Sequence, residues 1–200
     1  MGKQYIIALG REFGSGGHAI AEILAKELNI PMYDKNVLDH IAEEKGMDVT
    51  HIEQYDEMPK SRLFTRRVAG HTNSLEEHVA EMQFDYIKKK ADSGENFIIV
   101  GRCAETALKD REGLISIFVL GDRECKIGRI MERYSLNRED AMAKMNRCDK
   151  KRKQYHNHYS DHKWGDSRTY DLCVNSSRLG VEKTAAMLLD YVKDRTSENS

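Results

Sequence analysis

The chain has 200 residues, of which 40% are hydrophobic and 32% are charged, and its formal net charge is −1 at pH 7. This length and composition suit one globular domain, residues 1–200, with its own core. The balanced charge argues against binding to nucleic acid or to a membrane surface. No apolar stretch approaches the roughly 20 residues of a membrane-spanning helix. Because the start of the chain also lacks a signal-peptide pattern, we expect a cytoplasmic protein.

Short apolar runs alternate with helical patterns along the chain. Five runs predict strands, at residues 5–9, 31–33, 96–100, 114–120 and 170–175. Helices are predicted to begin near Gly17, after the candidate N-caps Asp122 and Asn137, and at about residue 181. Apolar strands that alternate with helices are typical of a parallel sheet covered on both faces. We therefore expect a three-layer α/β fold with a five-stranded parallel sheet.

Two segments depart from this alternation. Residues 47–93 are polar, with apolar residues at helical intervals, and predict an inserted helical flap outside the sheet. Residues 135–165 follow the fourth strand and its helix, and they are predicted to form a basic lid.

The strongest functional signal follows the first strand directly, at residues 11–18. Glycines let several N–H groups point into one concavity, and the following helix N-terminus adds partial positive charge. In the standard GxxxxGK[ST] pattern, Gly16 matches the second glycine, but Gly17 replaces the lysine and His18 replaces the magnesium-binding hydroxyl. Arg11 falls at the first glycine. The loop predicts phosphate binding, with a plain strand-to-helix turn as the alternative. The candidate nucleotide-binding residues are Phe13, Gly14, Ser15, Gly16, Gly17 and His18.

The absent lysine requires a substitute. A charge-assisted hydrogen bond contributes about 1.5–3 kcal/mol, whereas an exposed helix terminus contributes only about 0.3–1 kcal/mol. Arg11 or an arginine of the lid would have to take the lysine's part.

The predicted lid carries a run of basic residues. Positioned arginines stabilise the charge that develops during phosphoryl transfer, so Arg147 and Arg152 are candidate catalytic residues, with Asp149 orienting them. A solvated helix face is the alternative. Arg129 and Arg133 lie one turn apart on the preceding helix, and one of them is a candidate to face the phosphates.

Metal and disulfide chemistry has little support in the sequence. The four cysteines are scattered without a CxxC pair, which indicates reduced, structural thiols. The lid ends in a stretch rich in histidine and aromatic residues, from Tyr155 to Trp164. Its histidine spacing allows a zinc site, but no cysteine or carboxylate completes it at useful spacing in the sequence. Packing of the lid or stacking on a base is favoured.

Several motifs together resemble the cytidylate kinase-like family over residues 6 to about 189. They are the loop at 11–18, Pro31-Met32-Tyr33-Asp34, Val100-Gly101-Arg102, Lys163-Trp164-Gly165 and the segment 170–176. The resemblance implies a P-loop NTPase fold. It also implies magnesium-dependent phosphoryl transfer from ATP to a nucleoside monophosphate, CMP or dCMP.

The same resemblance indicates where the acceptor binds. Asp34 matches the aspartate that opens the monophosphate site in cytidylate kinase, although it also suits an N-cap for the helix that follows. Gly101-Arg102 match a Gly-Arg pair, while Cys103 replaces the aspartate that follows it. The candidate substrate-binding residues are Asp34, Lys35 and Arg102. Asp34 is also a candidate to hold magnesium through water or to orient the acceptor, although the sequence does not fix the magnesium ligands.

Three alternatives stay open, and one of them, nucleic-acid binding through residues 144–153, is opposed by the balanced net charge. The missing lysine and hydroxyl would suit a nucleotide-binding module without turnover. Cys103 would suit a kinase for another small metabolite. Nucleotide substrates are the expected binding partners of the chain, and a homodimer of the chain is a further candidate assembly.

Overall fold

The computed structural model of the chain describes residues 3–34, 36–53, 56, 67–68, 71–72 and 75–197. The strands are β1 (Ile6–Arg11), β2 (Met32–Tyr33), β3 (Arg67–Val68), β4 (His71–Thr72), β5 (Phe97–Val100), β6 (Leu114–Leu120) and β7 (Leu172–Asn175). The helices are α1 (Gly17–Leu28), α2 (Asn36–Lys45), α3 (Val49–Glu53), α4 (Leu75–Asp92), α5 (Ala104–Ala107), α6 (Arg123–Tyr134), α7 (Arg138–Tyr159) and α8 (Gly180–Ser197). Within the described part of the chain, no helix is long and apolar enough to cross a membrane.

The central sheet has five parallel strands in the order β2-β5-β1-β6-β7. Strand β1 lies in the middle, where Leu9 is opposite Val100 of β5 and Ile117 of β6. All six residues of β1 are buried, as expected for a strand covered on both faces. The predicted parallel sheet and its five strands are confirmed.

Side chains that alternate along β1 enter two separate cores. Ile7 and Leu9 pack with residues of α1 and α8, including Leu24 and Leu188. Ile6 and Ala8 pack on the other face with residues of α2 and α4. Because successive side chains of a strand point to opposite faces, this division produces the three-layer α/β fold that the sequence predicts.

The segment predicted as a helical flap contains more than helices. Helices α3 and α4 lie in it, but so does the antiparallel pair β3–β4, which pattern analysis did not predict. Helix α4 packs on the sheet through Val79, Met82 and Ile87, so it forms part of the main core.

The segment predicted as a lid consists mainly of α7, which packs against α6 through a small apolar cluster around Ile130 and Met145. Asn137 caps α7 as predicted, since its side chain accepts a hydrogen bond from the Asp140 N–H at 2.9 Å. Asp122 occupies the N-cap position of α6 but makes no side-chain capping bond. Its carboxylate instead accepts a hydrogen bond from Asn175 Nδ2 at 2.8 Å and thereby joins α6 to the end of β7.

Candidate active site

A cavity of about 560 Å³ lies beside the loop that joins β1 to α1. This is the carboxyl end of the parallel sheet, where open α/β folds bind their ligands, and the volume suits a nucleotide-sized molecule. Its basic lining residues are Arg11, His18, Arg129, Arg133 and Arg152. The site is therefore suited to a ligand with several negative charges.

Two glycines of the loop are required by its backbone. Gly14 and Gly16 both have φ of +81°, a conformation that side chains rarely adopt. A Cβ at Gly14 would lie 2.9 Å from Ile130 Cδ1, and one at Gly16 would lie 2.7 Å from Val181 Cγ2. The loop can therefore lie close against α6 and the start of α8 only with glycine at both positions.

Ser15 stabilises the loop from within. Its side chain is fully buried, and its Oγ donates to the Glu12 carbonyl at 2.9 Å and accepts from the Gly17 N–H at 3.3 Å. Ser15 does not line the cavity. Its side chain therefore has a structural part in the predicted nucleotide loop.

An ionic network centred on the buried Lys126 holds the loop to α6 and α7. Lys126 Nζ lies 2.9 Å from Glu12 Oε2 and 3.2 Å from Asp149 Oδ2. Asp149 also accepts a hydrogen bond from the Phe13 N–H at 2.7 Å. Burial raises the pKa of Asp149, although the Phe13 N–H and Lys126 oppose that rise. Asp149 was predicted to orient the lid arginines, whereas its observed partners are the loop and Lys126.

Arg129 lies directly against the loop. Its Nη1 donates to the Ser15 carbonyl at 3.1 Å and to Ser176 Oγ at 3.1 Å. Arg133, one turn further along α6, also lines the cavity. The sequence predicted that one of these arginines faces the phosphates, and the structure places both at the cavity wall.

Asp34 joins the loop to the end of β2. His18 Nδ1 lies 2.8 Å from Asp34 Oδ2, and Arg11 Nη2 lies 3.5 Å from Asp34 Oδ1. Burial by itself would raise the pKa of Asp34, but the His18 hydrogen bond and the charges of Arg11 and Arg102 lower it to about 2. The hydrogen bond to Asp34 in turn raises the pKa of His18. Asp34 is consequently an ionised carboxylate at neutral pH.

Arg102 is held inside the protein by an unusual backbone. Gly101, Arg102 and Cys103 have φ of 78°, 59° and 53°, and such positive values are uncommon outside glycine. They direct a fully buried guanidinium into the site, where it forms an ion pair with Asp56 and donates to the Asp34 carbonyl at 3.2 Å. Burial lowers the pKa of Arg102 to about 10. Its Nε has no hydrogen-bond partner among the described residues, which leaves one donor available.

A second cavity, of about 20 Å³, lies next to Arg102. Arg11 and Arg152 line both this small cavity and the large one. The remaining walls of the small cavity include aromatic and acidic side chains, namely Glu105, Tyr155, Trp164 and Tyr170. The two arginines therefore lie between the nucleotide-sized cavity and the small cavity beside Arg102.

The two predicted lid arginines differ in position. Arg152 Nη1 donates to the Arg11 carbonyl at 3.4 Å, and its guanidinium lies 5.6 Å from the Phe13 ring centroid. Arg147 is on the exposed face of α7 and lines neither cavity. Five residues along a helix correspond to about 500°, so the two side chains leave α7 in different directions. Lys35, a predicted substrate-binding residue, lies outside the described residues.

The structure assembles a side-chain cluster that sequence spacing did not reveal. His156 Nε2 lies 2.7 Å from Glu105 Oε1, and Cys103 lies beside them. One ligand atom from each of the three residues lies within 4.8 Å of the others, and all three side chains are buried. Sequence spacing offers the lid histidines no cysteine or carboxylate, and the fold brings both to His156 from the segment around α5. Burial and the charge of Glu105 raise the pKa of the Cys103 thiol.

Comparison with known proteins gives the following matches. The sequence model of the cytidylate kinase-like family matches residues 6–178. A crystal structure of an uncharacterized protein from Eubacterium ventriosum is 40% identical, with a TM-score of 0.76, and the match covers 95% of this chain and 99% of that chain. Shikimate kinase from Bacteroides thetaiotaomicron is 14% identical, with a TM-score of 0.56 and coverage of 94% and 98%. A sugar kinase from Janibacter is also 14% identical, with a TM-score of 0.54 and 95% coverage of both chains. No curated protein sequence matches.

Proposed function

Since the chain belongs to the cytidylate kinase-like family, we propose that it transfers the γ-phosphoryl group of ATP to a nucleoside monophosphate, with CMP or dCMP as the acceptor. One observation carries the proposal: Arg11 and Arg152 line both the nucleotide-sized cavity and the small cavity beside Arg102. Positive charge between donor and acceptor is what phosphoryl transfer requires, because negative charge spreads over the migrating group.

The large cavity is the proposed donor site. The triphosphate of ATP would lie along the loop at 11–18, where backbone N–H groups and the N-terminus of α1 favour an anion. Arg129 and Arg133 add positive charge from α6. The aromatic rings of Phe13 and Tyr134 stack on each other at 5.9 Å beside the same cavity and supply an apolar wall.

Arg11 is the proposed substitute for the missing lysine. Its side chain occupies the space next to Gly17, where the standard pattern has the lysine, and Arg11 is one of the residues that line the cavity. An arginine can contact phosphate oxygens through two N–H groups at once, so it can supply both charge and orientation.

Magnesium would be held through Asp34. Mg²⁺ prefers oxygen ligands and is usually bound by one or two carboxylates together with waters and substrate phosphates. Asp34 fits this requirement because it is ionised and lies beside the cavity, whereas the imidazole of His18 is a poor replacement for a hydroxyl ligand of magnesium. When bound, the ion would neutralise phosphate charge. His18 and Arg11 would hold the Asp34 carboxylate in place.

Arg102 is the proposed binding group for the acceptor phosphate. It is fully buried, its Nε is unpartnered among the described residues, and the small cavity lies beside it. Arg11 and Arg152 line that cavity as well, so three arginines surround it. At about 20 Å³ it has room for one water molecule, so it would have to widen toward the large cavity for an acceptor phosphate to enter. Catalysis would then consist of positioning and charge stabilisation.

A second candidate is a kinase for another small anionic metabolite. Cys103 stands where the cytidylate kinase pattern has an aspartate, and its thiol lies 4.0 Å from the His156 carbonyl. That position therefore supplies no carboxylate that could recognise the nucleobase of an acceptor nucleotide. This observation favours an acceptor that binds through its anionic group alone.

Coupled ADP release, with ATP and magnesium, tests these proposals. The acceptors would be CMP, dCMP, UMP, AMP, GMP and none, with Arg11→Ala and Arg102→Ala run alongside and exposed Arg147→Ala as the control. We expect turnover with CMP or dCMP that both site variants lose and the control keeps. Turnover only with another anionic acceptor would support the second candidate. ATP binding without turnover for any acceptor would contradict the proposed nucleoside monophosphate kinase.

A further inference from the structure

The buried cluster of Cys103, Glu105 and His156 combines three residue types that bind transition metals. Cys103 directly precedes α5, Glu105 lies within it, and His156 lies in the last turn of α7. Their relative exposures are 4%, 6% and 4%. Sulfur, carboxylate oxygen and imidazole nitrogen are the donor set of zinc sites in proteins.

The hydrogen bonding of the His156 ring is incomplete. Nδ1 of His156 is buried and has no hydrogen-bond partner among the described residues. Buried polar groups are almost always hydrogen-bonded, so a histidine with one unpartnered ring nitrogen is unusual. The His156 ring is consequently held only through Nε2, at 2.7 Å from Glu105 Oε1.

The charge of the cluster also suits a divalent ion. Arg11, Arg102 and Arg152 line the adjoining cavity, so an uncompensated cation would be repelled. A zinc ion bound by the Cys103 thiolate, the Glu105 carboxylate and a neutral imidazole carries no net charge. Hard ions such as Mg²⁺ and Ca²⁺ are less suited, since they prefer sites made entirely of oxygen.

We propose that Cys103, Glu105 and His156 bind one Zn²⁺ ion, with a water molecule as the fourth ligand. The adjoining cavity of about 20 Å³ has room for that water. Zinc lies about 2.0–2.3 Å from such ligand atoms, so the contact between His156 and Glu105 opens by roughly half an ångström on binding. The Cys103 proton leaves to solvent as the ion binds.

The ion would join two elements that carry the arginines of the active site. Arg102 adjoins Cys103 in sequence, and Arg152 lies one helical turn before His156 on α7. A metal that fixes α7 to the segment after β5 therefore fixes the distance between these guanidinium groups. Zinc binding does not rest on the proposed kinase activity, because all three ligands belong to the folded chain.

Metal titration tests the proposal directly. Full-length protein is stripped with a chelator and titrated with Zn²⁺ against a chromophoric competitor, and then with Co²⁺. We expect one equivalent of Zn²⁺, a higher melting temperature and a thiolate-to-cobalt absorption band. Loss of a residue that contacts a ligand but not the metal typically lowers metal affinity ~10–100-fold. Since Cys103 and His156 would be direct ligands, Cys103→Ser and His156→Gln should each lower the affinity for zinc by more than that. The controls are Cys148→Ser and His158→Gln on the same helix.

A second variant keeps the test decisive if Cys103→Ser fails to fold. Replacing Cys125, Cys148 and Cys173 together by serine leaves Cys103 as the single thiol. The cobalt band must persist in that protein. Absence of the band, absence of stoichiometric zinc, or full zinc affinity in folded Cys103→Ser would each overturn the proposal.

Discussion

A Cβ atom at Gly17 would lie 2.7 Å from Cβ of Arg11. The two residues occupy the lysine position and the first-glycine position of the standard phosphate-loop pattern. Compared with that pattern, this loop has a large side chain, Arg11, at the first-glycine position and a glycine, Gly17, at the lysine position. Because the two Cβ positions are so close, only one of the two residues can carry a side chain. This reciprocity explains why the chain lacks the lysine and supports Arg11 as its substitute.

Gly17→Lys tests this reciprocity. The new side chain would collide with Arg11, so we expect a loss of about 1–3 kcal/mol in the free energy of unfolding, as for other overpacked sites. The double variant Arg11→Gly with Gly17→Lys relieves the collision and should recover most of that loss. Urea unfolding measures the stability of each protein, and calorimetry measures its affinity for ATP.

Gly128→Ala is the matched control, because nothing lies within 4 Å of a Cβ at that exposed position of α6. It should stabilise the helix by about 1 kcal/mol. A single Gly17→Lys variant as stable as the native protein would contradict the steric explanation.

Structural elements that are determined by a short stretch of sequence were predicted well. The apolar run at 114–120 became β6 with the same bounds, and α1 begins at Gly17 as its spacing indicated. The phosphate loop was recognisable for the same reason, since glycines between a buried strand and a helix are a local signal. Asn137 was likewise identified as a helix cap, with Asp140 three residues further on.

Contacts between distant segments were not predictable from the pattern. Lys126 reaches Glu12 across 114 positions, and His156 reaches Glu105 across 51. Lys126, Glu105 and His156 each also fit an ordinary helix surface when the sequence is considered alone. The burial of Lys126 and its partners is set by how α6 and α7 pack on the loop, which requires the tertiary structure.

Arg152 and Arg147 provide a matched pair on one helix. Arg152→Met retains most of the side-chain volume but removes the charge between the two cavities. We expect kcat to fall about 10²–10³-fold with little change in the KM for ATP, because the charge acts mainly in the transition state. Arg147→Met should leave both constants unchanged. Equal effects of the two substitutions would show that Arg152 contributes only to the general charge of α7.

The His18–Asp34 pair predicts a pH-dependent stability. The pKa of His18 is raised above 6.5, so its contribution is fully present below pH 6.5 and is lost as pH rises through the higher folded value. The pKa of Asp34 is lowered from 3.8 to about 2, so its contribution is present above pH 3.8 and is lost as pH falls toward about 2. Both contributions are therefore present together between pH 3.8 and 6.5.

His18→Gln should consequently cost more stability at about pH 5.5 than at about pH 8.5. Urea unfolding of both proteins, in metal-free buffer without nucleotide, gives the difference in the free energy of unfolding at each pH. His158→Gln, at an exposed position of α7, controls for the general effect of removing a histidine. A cost that does not change with pH would show that His18 is not charged in this contact.

Lys126→Met tests the network that holds the phosphate loop. The substitution keeps an apolar stem of similar length but leaves Glu12 and Asp149 without their shared cation. Removing one partner from a buried ionic group typically costs about 3–5 kcal/mol, and we expect a loss of that order. The Phe13 N–H should also exchange its hydrogen faster in the variant, because its acceptor Asp149 is no longer positioned by Lys126. Lys150→Met, at an exposed position of α7, should change neither quantity. If Lys126→Met were as stable as this control, the network would be dispensable, and the position of the loop would depend on the glycine contacts alone.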